Sequence, residues 1–276
     1  MPTMLPFKIF QWSGSTEFLD EYASLIRRVF RNECQWTDLD WKHNRNPLGK
    51  SLIFYARDDQ DKLAAARAFW RLPSTGSSIW QPCDTVTAPE YQRKGLFRTL
   101  TENCLDLIAE DALVVNFPNN SSWPAYEKLG WKLYGKNYKL INFGFPSWST
   151  KALIESDFLQ QIPSLPVDNE FIQWRFCSHP SKSYRLHGYK DHLLVNNGSQ
   201  IGAVSGNGVK LKLINNKIYS FGYGVKSRGW KYYLQQCSIP LPANSRVAFY
   251  AKSIATENVL LALLEQWQVN VLMDTF

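Results

Sequence analysis

The 276-residue chain contains no uninterrupted apolar run long enough to span a bilayer. Its opening residues, Met1-Pro2-Thr3-Met4-Leu5-Pro6-Phe7-Lys8, lack the basic-then-apolar order of a secretory leader. A cytoplasmic protein without a membrane partner is therefore expected. The five cysteines, at positions 34, 83, 104, 177 and 237, are scattered, odd in number and form no CxxC pair. This argues against a disulfide framework and against structural zinc. Four isolated histidines offer no metal-ligand spacing; His187 and His192 are five apart across an expected strand and turn. No metal is expected. There is no Gly-x-Ser-x-Gly elbow, which weighs against an α/β-hydrolase. Neither a Walker loop nor a GxGxxG after a strand occurs, and no recognition motif for RNA or DNA is present.

The chain has ample material for packed cores: 45% of residues are hydrophobic and eleven are tryptophan. Such a composition argues against disorder, and the length allows one large domain or two small ones. The net charge of +7 is uneven. Residues 1–145 carry 18 Lys+Arg against 16 Asp+Glu, giving +2, and residues 146–276 carry 13 against 8, giving +5. A basic second half attracts anions, whether a phosphate-bearing small molecule, nucleic acid or a membrane surface. Its charges are dispersed, however, as on an ordinary solvated surface.

Periodicity organises the first half. Phe18, Leu19, Tyr22, Leu25, Ile26, Val29 and Phe30 make one apolar stripe of a helix over 17–30. A polar, tryptophan-bearing stretch follows over 32–46. Residues 51–56 and 63–70 read as a hairpin of strands turning at Asp58-Asp59-Gln60-Asp61, with a further strand over 78–87. Leu96, Phe97, Leu100, Cys104, Leu105 and Ile108 share one face of a helix over 96–108, where Cys104 serves packing. Ala112-Leu113-Val114-Val115 reads as a buried strand, and a short helix then ends at Gly130.

The most telling segment is Thr87-Ala88-Pro89-Glu90-Tyr91-Gln92-Arg93-Lys94-Gly95-Leu96-Phe97. A basic turn with a glycine, set between a strand and a helix N-terminus, suits a pyrophosphate. The first N–H groups of the helix lack intrahelical partners, and its dipole favours negative charge. Gly95 lets the backbone approach an anion, and Arg93 and Lys94 add positive charge.

Gln92-Arg93-Lys94-Gly95-Leu96-Phe97 resembles the cofactor loop Gln/Arg-x-x-Gly-x-Gly/Ala of the GNAT superfamily of acyl-CoA-dependent N-acyltransferases. Phe97 stands where a small residue is usual, which is expected to tighten the space near the pyrophosphate. The family's second motif, Asn-x-x-Ala-x-x-x-Tyr-Glu-Lys-Leu-Gly-Phe, is similar in spacing to Asn119 through Trp131, with Ser122 at the alanine position and Trp131 at the phenylalanine. The likeness spans about residues 50 to 140.

This resemblance implies an α/β (α+β) GNAT fold, a mixed central sheet flanked by helices. It implies acetyl-CoA as acyl donor and direct attack of a neutral amine on the thioester. Cofactor binding then falls to Val86, Thr87, Gln92, Arg93, Lys94, Gly95, Leu96, Phe97, Asn119 and Tyr126. In the family a backbone N–H of the fourth strand, here 83–87, polarises the carbonyl, and the tyrosine of the second motif, here Tyr126, acts as acid. Tyr126 also suits simple packing, and Asn119 suits either a pantetheine amide or a helix cap. Asp84, on the strand leading to the turn, is the first candidate base, against the reading of an exposed strand residue. Glu33 and His43 are further candidates, His43 also reading as an ordinary surface or interface histidine.

A second-half echo is present. Trp41-Lys42-x4-Pro47 reappears as Trp174-Arg175-x4-Pro180, each followed by a strand-like run, the later one turning at Asn197-Gly198. The polar stretch Pro146-Ser147-Trp148-Ser149-Thr150 marks a boundary. The expected organisation is a GNAT acetyltransferase domain over 1–145 and a smaller, degenerate GNAT-like α/β domain over 146–276 without a cofactor turn. Helices over 153–161 and 258–268 and a strand over 271–276 are expected in it. The acceptor class implied is a small-molecule amine, with a nucleotide-linked amino sugar as one candidate. Two other readings stand beside it: a non-catalytic module on the same scaffold, its cofactor turn obstructed by Phe97, and a nucleic-acid-binding protein using the basic half.

Overall fold

The structure, a computed structural model, describes residues 7–74, 77–142, 169–189, 192–196, 201–205, 223–225 and 238–266. The first half runs β1 (Lys8–Gln11), α1 (Thr16–Phe30), α2 (Trp36–His43), β2 (Leu52–Arg57), β3 (Leu63–Leu72), β4 (Ile79–Thr87), α3 (Leu96–Leu107), β5 (Leu113–Asn116), α4 (Trp123–Glu127) and β6 (Lys132–Asn142). The second half adds α5 (Asn169–Ile172), continued by a π-helical turn (Gln173–Cys177), then β7 (Arg185–Tyr189), β8 (His192–Asn196), β9 (Ile201–Ser205), β10 (Tyr223–Val225), β11 (Ser238–Tyr250) and α6 (Ile254–Gln266). The fold is the expected mixed α/β one. The helix expected over 153–161, the Asn197-Gly198 turn and the strand expected over 271–276 lie outside the described residues, as does the boundary at 146–150.

Local chemistry sets the elements. Ser15 caps α1 by accepting the Phe18 N–H at 3.3 Å, Glu17 sits in its first turn, and Arg27 and Arg28 in its last. In the β2–β3 hairpin, Asp58 Oδ1 accepts the N–H groups of Gln60 and Lys62 at 3.0 and 2.9 Å, an Asx-type closure. α2 falls inside the stretch that shows no periodic signal, because its buried positions include Asp40 and His43 beside Leu39 and Trp41. The helix expected over 258–268 begins earlier, at Ile254, where Ser253 Oγ accepts the Thr256 N–H at 3.1 Å.

Eight strands form one sheet in the order β1-β2-β3-β4-β5-β11-β6-β10; β7-β8-β9 form a separate antiparallel meander. Every neighbouring pair in the large sheet is antiparallel except β4 and β5. β11, from the end of the second half, lies between β5 and β6 of the first.

β3 is buried on both faces. Ala64, Ala65, Ala66 and Ala68 are small enough for a helical layer to approach from either side. On one face Phe18, Leu19 and Tyr22 of α1 and Leu39 and Trp41 of α2 pack with Ala66, Ala68 and Trp70, joined by Phe171 and Trp174 from the second half. On the other, Leu96, Leu100 and Cys104 of α3 and Tyr126 of α4 pack with Ala65, Phe69 and Trp80. Among the described residues, no helix is long and apolar enough to cross a membrane.

Two irregularities shape the middle of the sheet. β4 and β5 pair only at Ile79↔Leu113 and Trp80↔Val114, although β4 continues to Thr87. A wedge therefore opens at the carboxyl ends of the only parallel pair among the described residues, the place where open α/β sheets take ligands. On the other edge of β4 the register jumps from Ala66↔Val86 to Ala68↔Cys83, so Asp84 and Thr85 bulge opposite Arg67.

Candidate functional site

The turn expected to hold an anion runs from the end of β4 into α3. A 3-10 turn over Pro89–Tyr91 leads into Gly95, which caps α3 with φ +81°, in the left-handed region. A Cβ at Gly95 would meet nothing within 4 Å, so the space above the turn is open. The first bond of the helix is Thr99 N–H to Gly95 O at 3.0 Å, which leaves the preceding N–H groups for an anion. Arg93 also lies in the left-handed region, with φ 61°. Arg93 and Lys94 are exposed, and neither is paired with a carboxylate among the described residues. These features fit a CoA pyrophosphate.

Phe97 departs from the expectation. Its ring turns away from the turn and toward the sheet, making an edge contact with Tyr126 at 5.2 Å between centroids and lying over Arg67 at 4.6 Å. A side chain on the inner face of α3 cannot also crowd the N–H groups at its start. Asn119 spends its Oδ1 on the Ser122 N–H at 2.8 Å, the capping role. Gln92 Nε2 reaches Thr87 O at 3.4 Å and ties the turn to the end of β4.

The bulge sends consecutive side chains to opposite faces. Thr85 faces α3 and α4, where its Oγ1 accepts from Arg67 Nη1 at 2.6 Å. Arg67 Nη2 donates to Tyr126 Oη at 2.8 Å. Both Arg67 and Tyr126 are buried. Asp84 faces α1 and α2. Its Oδ2 lies 2.8 Å from Lys42 Nζ and 3.1 Å from His43 Nε2. His43 Nδ1 lies 2.9 Å from Ser51 Oγ, and the Tyr22 hydroxyl donates to the Asp84 backbone oxygen. That bond and the Lys42 ion pair accompany an Asp84 φ of 46°, an unfavourable conformation for a residue with a side chain.

His43, expected as a further candidate base or as an ordinary surface or interface histidine, is thus fully buried. It comes from α2, the helix without a sequence signal, and joins Asp84 from β4. Glu33 is exposed and has no part in this cluster. Lys42, Tyr22, Ser51 and Arg67 were not expected at the site. A lone arginine in the alanine-rich run Ala64-Ala65-Ala66-Arg67-Ala68-Phe69 was the available signal for the last.

The electrostatics of the cluster are decided by burial against pairing. Burial pushes the Asp84 carboxyl up, but Lys42 and His43 together outweigh it and hold the group far below the usual carboxylate range. Burial disfavours the Lys42 ammonium, yet Asp84 raises it above its ordinary value. For His43 burial prevails over Asp84 and the imidazole is lowered, so it stays neutral. Burial, reinforced by Asp84, pushes the Tyr22 phenol well up. His43, Cys83 and Asp84 place donor atoms within 4.8 Å of one another. The Lys42 ammonium already occupies Asp84 Oδ2, and burial keeps the Cys83 thiol protonated. That donor set is ill suited to a metal ion.

The second half reaches this region. Trp41 of α2 stacks on Trp174, with centroids 4.7 Å apart, and the His179 ring lies 4.1 Å from Trp41. Arg175 is buried, with its guanidinium over Trp41 and Trp70. The two Trp-basic-x4-Pro elements therefore meet each other.

The sequence matches the Acetyltransferase (GNAT) domain family over residues 13–134. A comparison with curated proteins returned no match. Among solved structures, an Enterococcus faecalis protein of unknown function with an N-acyltransferase assignment superposes with a TM-score of 0.57 at 9% identity, over 91% of this chain and 74% of its own. A GCN5-related N-acetyltransferase from Kribbella flavida gives 0.53 at 13% identity, over 90% and 73%. A GCN5-related glucosamine N-acetyltransferase region in a fungal multi-domain β-N-acetylglucosaminidase gives 0.51 at 13% identity, over 90% of this chain and 38% of that one. At these identities the likeness is one of fold, and it extends well past residue 134.

Proposed function

Because residues 13–134 are a GNAT acetyltransferase domain, which makes this chain an acyl-CoA-dependent N-acyltransferase with acetyl-CoA as donor, we propose that it acetylates a small primary amine held between Asp84 and the β4–β5 wedge. The observation that carries this reading is the bulge, which turns Asp84 to one face of the sheet and Thr85, with Arg67 and Tyr126, to the other.

The donor supplies an activated thioester. The N–H groups at the start of α3, Gly95, and the side chains of Gln92, Arg93 and Lys94 hold its pyrophosphate. Leu96 and Phe97 anchor that helix end to the core, and the backbone of Val86 and Thr87 lines the wedge and polarises the carbonyl. Asn119 fixes the start of α4 and through it Tyr126.

On the acceptor side, Asp84 is a firm anion and a poor proton store. It orients the incoming ammonium and lets the proton pass to water, so that the neutral nitrogen attacks. His43, neutral and buried, sets its Nε2 3.1 Å from Asp84 Oδ2 and packs against the carboxylate. Tyr126 gives its phenolic proton to the departing sulfur.

For the acceptor we propose an amino sugar, with a nucleotide-linked one as the specific candidate. Support comes from the dispersed positive charge of the second half, and one neighbour of the fold is named as a glucosamine N-acetyltransferase. The test is thiol release from acetyl-CoA with glucosamine, nucleotide-linked amino sugars and short peptides as acceptors. Turnover with amino sugars supports the reading, and turnover with peptides alone overturns it.

We further propose two units, 1–145 and 146–276, the second a degenerate copy of the first. The meeting of Trp41 with Trp174 supports it, and the insertion of β11 would make the units share a sheet. A cytoplasmic location rests on the cysteine pattern alone.

A further inference from the structure

Arg67 is fully buried and forms no ion pair with a carboxylate among the described residues. Burying a guanidinium is costly unless its charge is met. Here the partners are neutral: Thr85 Oγ1 at 2.6 Å, Tyr126 Oη at 2.8 Å, and the ring faces of Phe97, Phe69 and Tyr126 at 4.6, 5.2 and 5.3 Å. Its Nε has no hydrogen-bond partner among the described residues. Cation–π contacts recover part of that cost. A permanent positive charge thus stands in an aromatic cage beside the group proposed to give up a proton.

Resting on the proposed acid role of Tyr126, we infer that Arg67 is a positioning residue for that tyrosine: it orients the phenol and neutralises the phenolate formed when the proton leaves. The bond donated by Arg67 occupies the Tyr126 oxygen as acceptor, so the tyrosine's own O–H is left to point at the departing sulfur. In the transfer the acyl C–S bond breaks and the C–N bond forms. The nitrogen loses one proton to water, and the sulfur gains one from Tyr126 Oη. The resulting phenolate has a guanidinium within hydrogen-bond distance until water returns the proton. The charge balance of the cage is therefore best during the transfer, which is the condition for selective stabilisation of that step. Phe97 gains a purpose as well. An aromatic ring at that position closes the cage, where a small residue would leave the guanidinium open to the cofactor turn.

The experiment uses the full chain with acetyl-CoA and hydroxylamine, an acceptor that is uncharged near neutral pH and needs no recognition by the amine site. Acetohydroxamate formation above the uncatalysed rate is measured for wild type, Tyr126→Phe, Arg67→Gln, Arg67→Lys and the double variants, with calorimetric acetyl-CoA binding as the check on folding. Tyr126→Phe should lower kcat about 100-fold, within the usual span of acid catalysis. Arg67→Gln should lower kcat by roughly 10-fold or more with the KM for acetyl-CoA little changed, and Arg67→Lys should recover much of the loss by restoring the charge. In the Tyr126→Phe background both Arg67 substitutions should be nearly silent, because the group they act through is gone. If Arg67→Gln does not bind acetyl-CoA, the Arg67→Lys deficit carries the same comparison: it must vanish when Tyr126 is Phe. An Arg67 effect of equal size in both backgrounds, or one confined to KM, overturns the inference and leaves the acid role intact. A Tyr126→Phe enzyme as fast as wild type, or a wild type with no catalysed rate, removes the acid role and the inference with it.

Discussion

Trp41 and Trp174 exchange one bond for its mirror: each indole N–H donates to the other's backbone carbonyl, both at 2.9 Å. Their rings stack with planes 17° apart. They occupy the same place in the repeated Trp-basic-x4-Pro element, so equivalent groups meet about a local two-fold. The next residue of each copy continues the relation, Lys42 at 5.0 Å and Arg175 at 5.5 Å from a ring centroid of Trp70. Trp174→Phe keeps most of the apolar area but leaves the Trp41 carbonyl without its donor. The expected cost is about 1–3 kcal/mol, and Trp41→Phe should cost the same. Urea midpoints at unchanged m are the measurement; a shift for only one of the two would refute the reciprocity.

Gly95→Glu should abolish acetyl-CoA binding in calorimetry while the melting curve stays cooperative. The carboxylate enters open space above the turn, where it competes with a pyrophosphate for the same N–H groups. Gly95→Ala should bind, with a stability loss of about 1 kcal/mol from the left-handed backbone alone. Unimpaired binding by the glutamate variant would place the pyrophosphate elsewhere.

Asp84→Asn removes the counter-charge of the Lys42 ammonium, in a pair whose side chains are 12% and 25% exposed. Stability should fall by roughly 1–3 kcal/mol, less than for a fully buried pair broken from one side. Lys42→Met in the same chain should restore much of the stability without restoring activity. Recovery of both together would mean that Asp84 only balances Lys42.

Acidification should destabilise the protein, and the sign follows from three groups. His43 is lowered by burial, and His179 is lowered to about 4 by burial with Arg175 and Lys182 adding to it. Unfolded histidines titrate near 6.5. Below that pH the unfolded chain binds more protons than the folded one, so stability falls as pH falls. Asp84, held far below the carboxylate range despite its burial, extends the loss once unfolded carboxyls, with values near 3.9, begin to protonate. Melting temperatures between pH 7 and 4 should drop, and His179→Gln should flatten part of that slope. An unchanged slope would show that His179 is not titrating differently in the two states.

Local signals were legible and non-local ones were not. The turn from Gln92 to Phe97 and the run from Asn119 to Trp131 work through adjacent residues, so the sequence carries them openly. α2 escaped notice because its inward positions mix Asp40 and His43 with Trp41, which spoils an apolar period. Lys42, His43 and Asp84 meet only because α2 packs beside a bulge in β4, and no spacing along the chain encodes that. The tryptophan echo was visible; that its two copies would bond to each other was not.

The place of β11 has a consequence for biosynthesis. The sheet that carries the wedge lacks two strands when β6 leaves the ribosome, the edge strand β10 and the inner strand β11, and the inner one is encoded from Ser238 onward. At usual elongation rates the intervening stretch takes about 5–20 s to make. Throughout that wait the nascent chain presents bare strand edges on β5 and β6, at the point where trigger factors and other holdases would have most to cover.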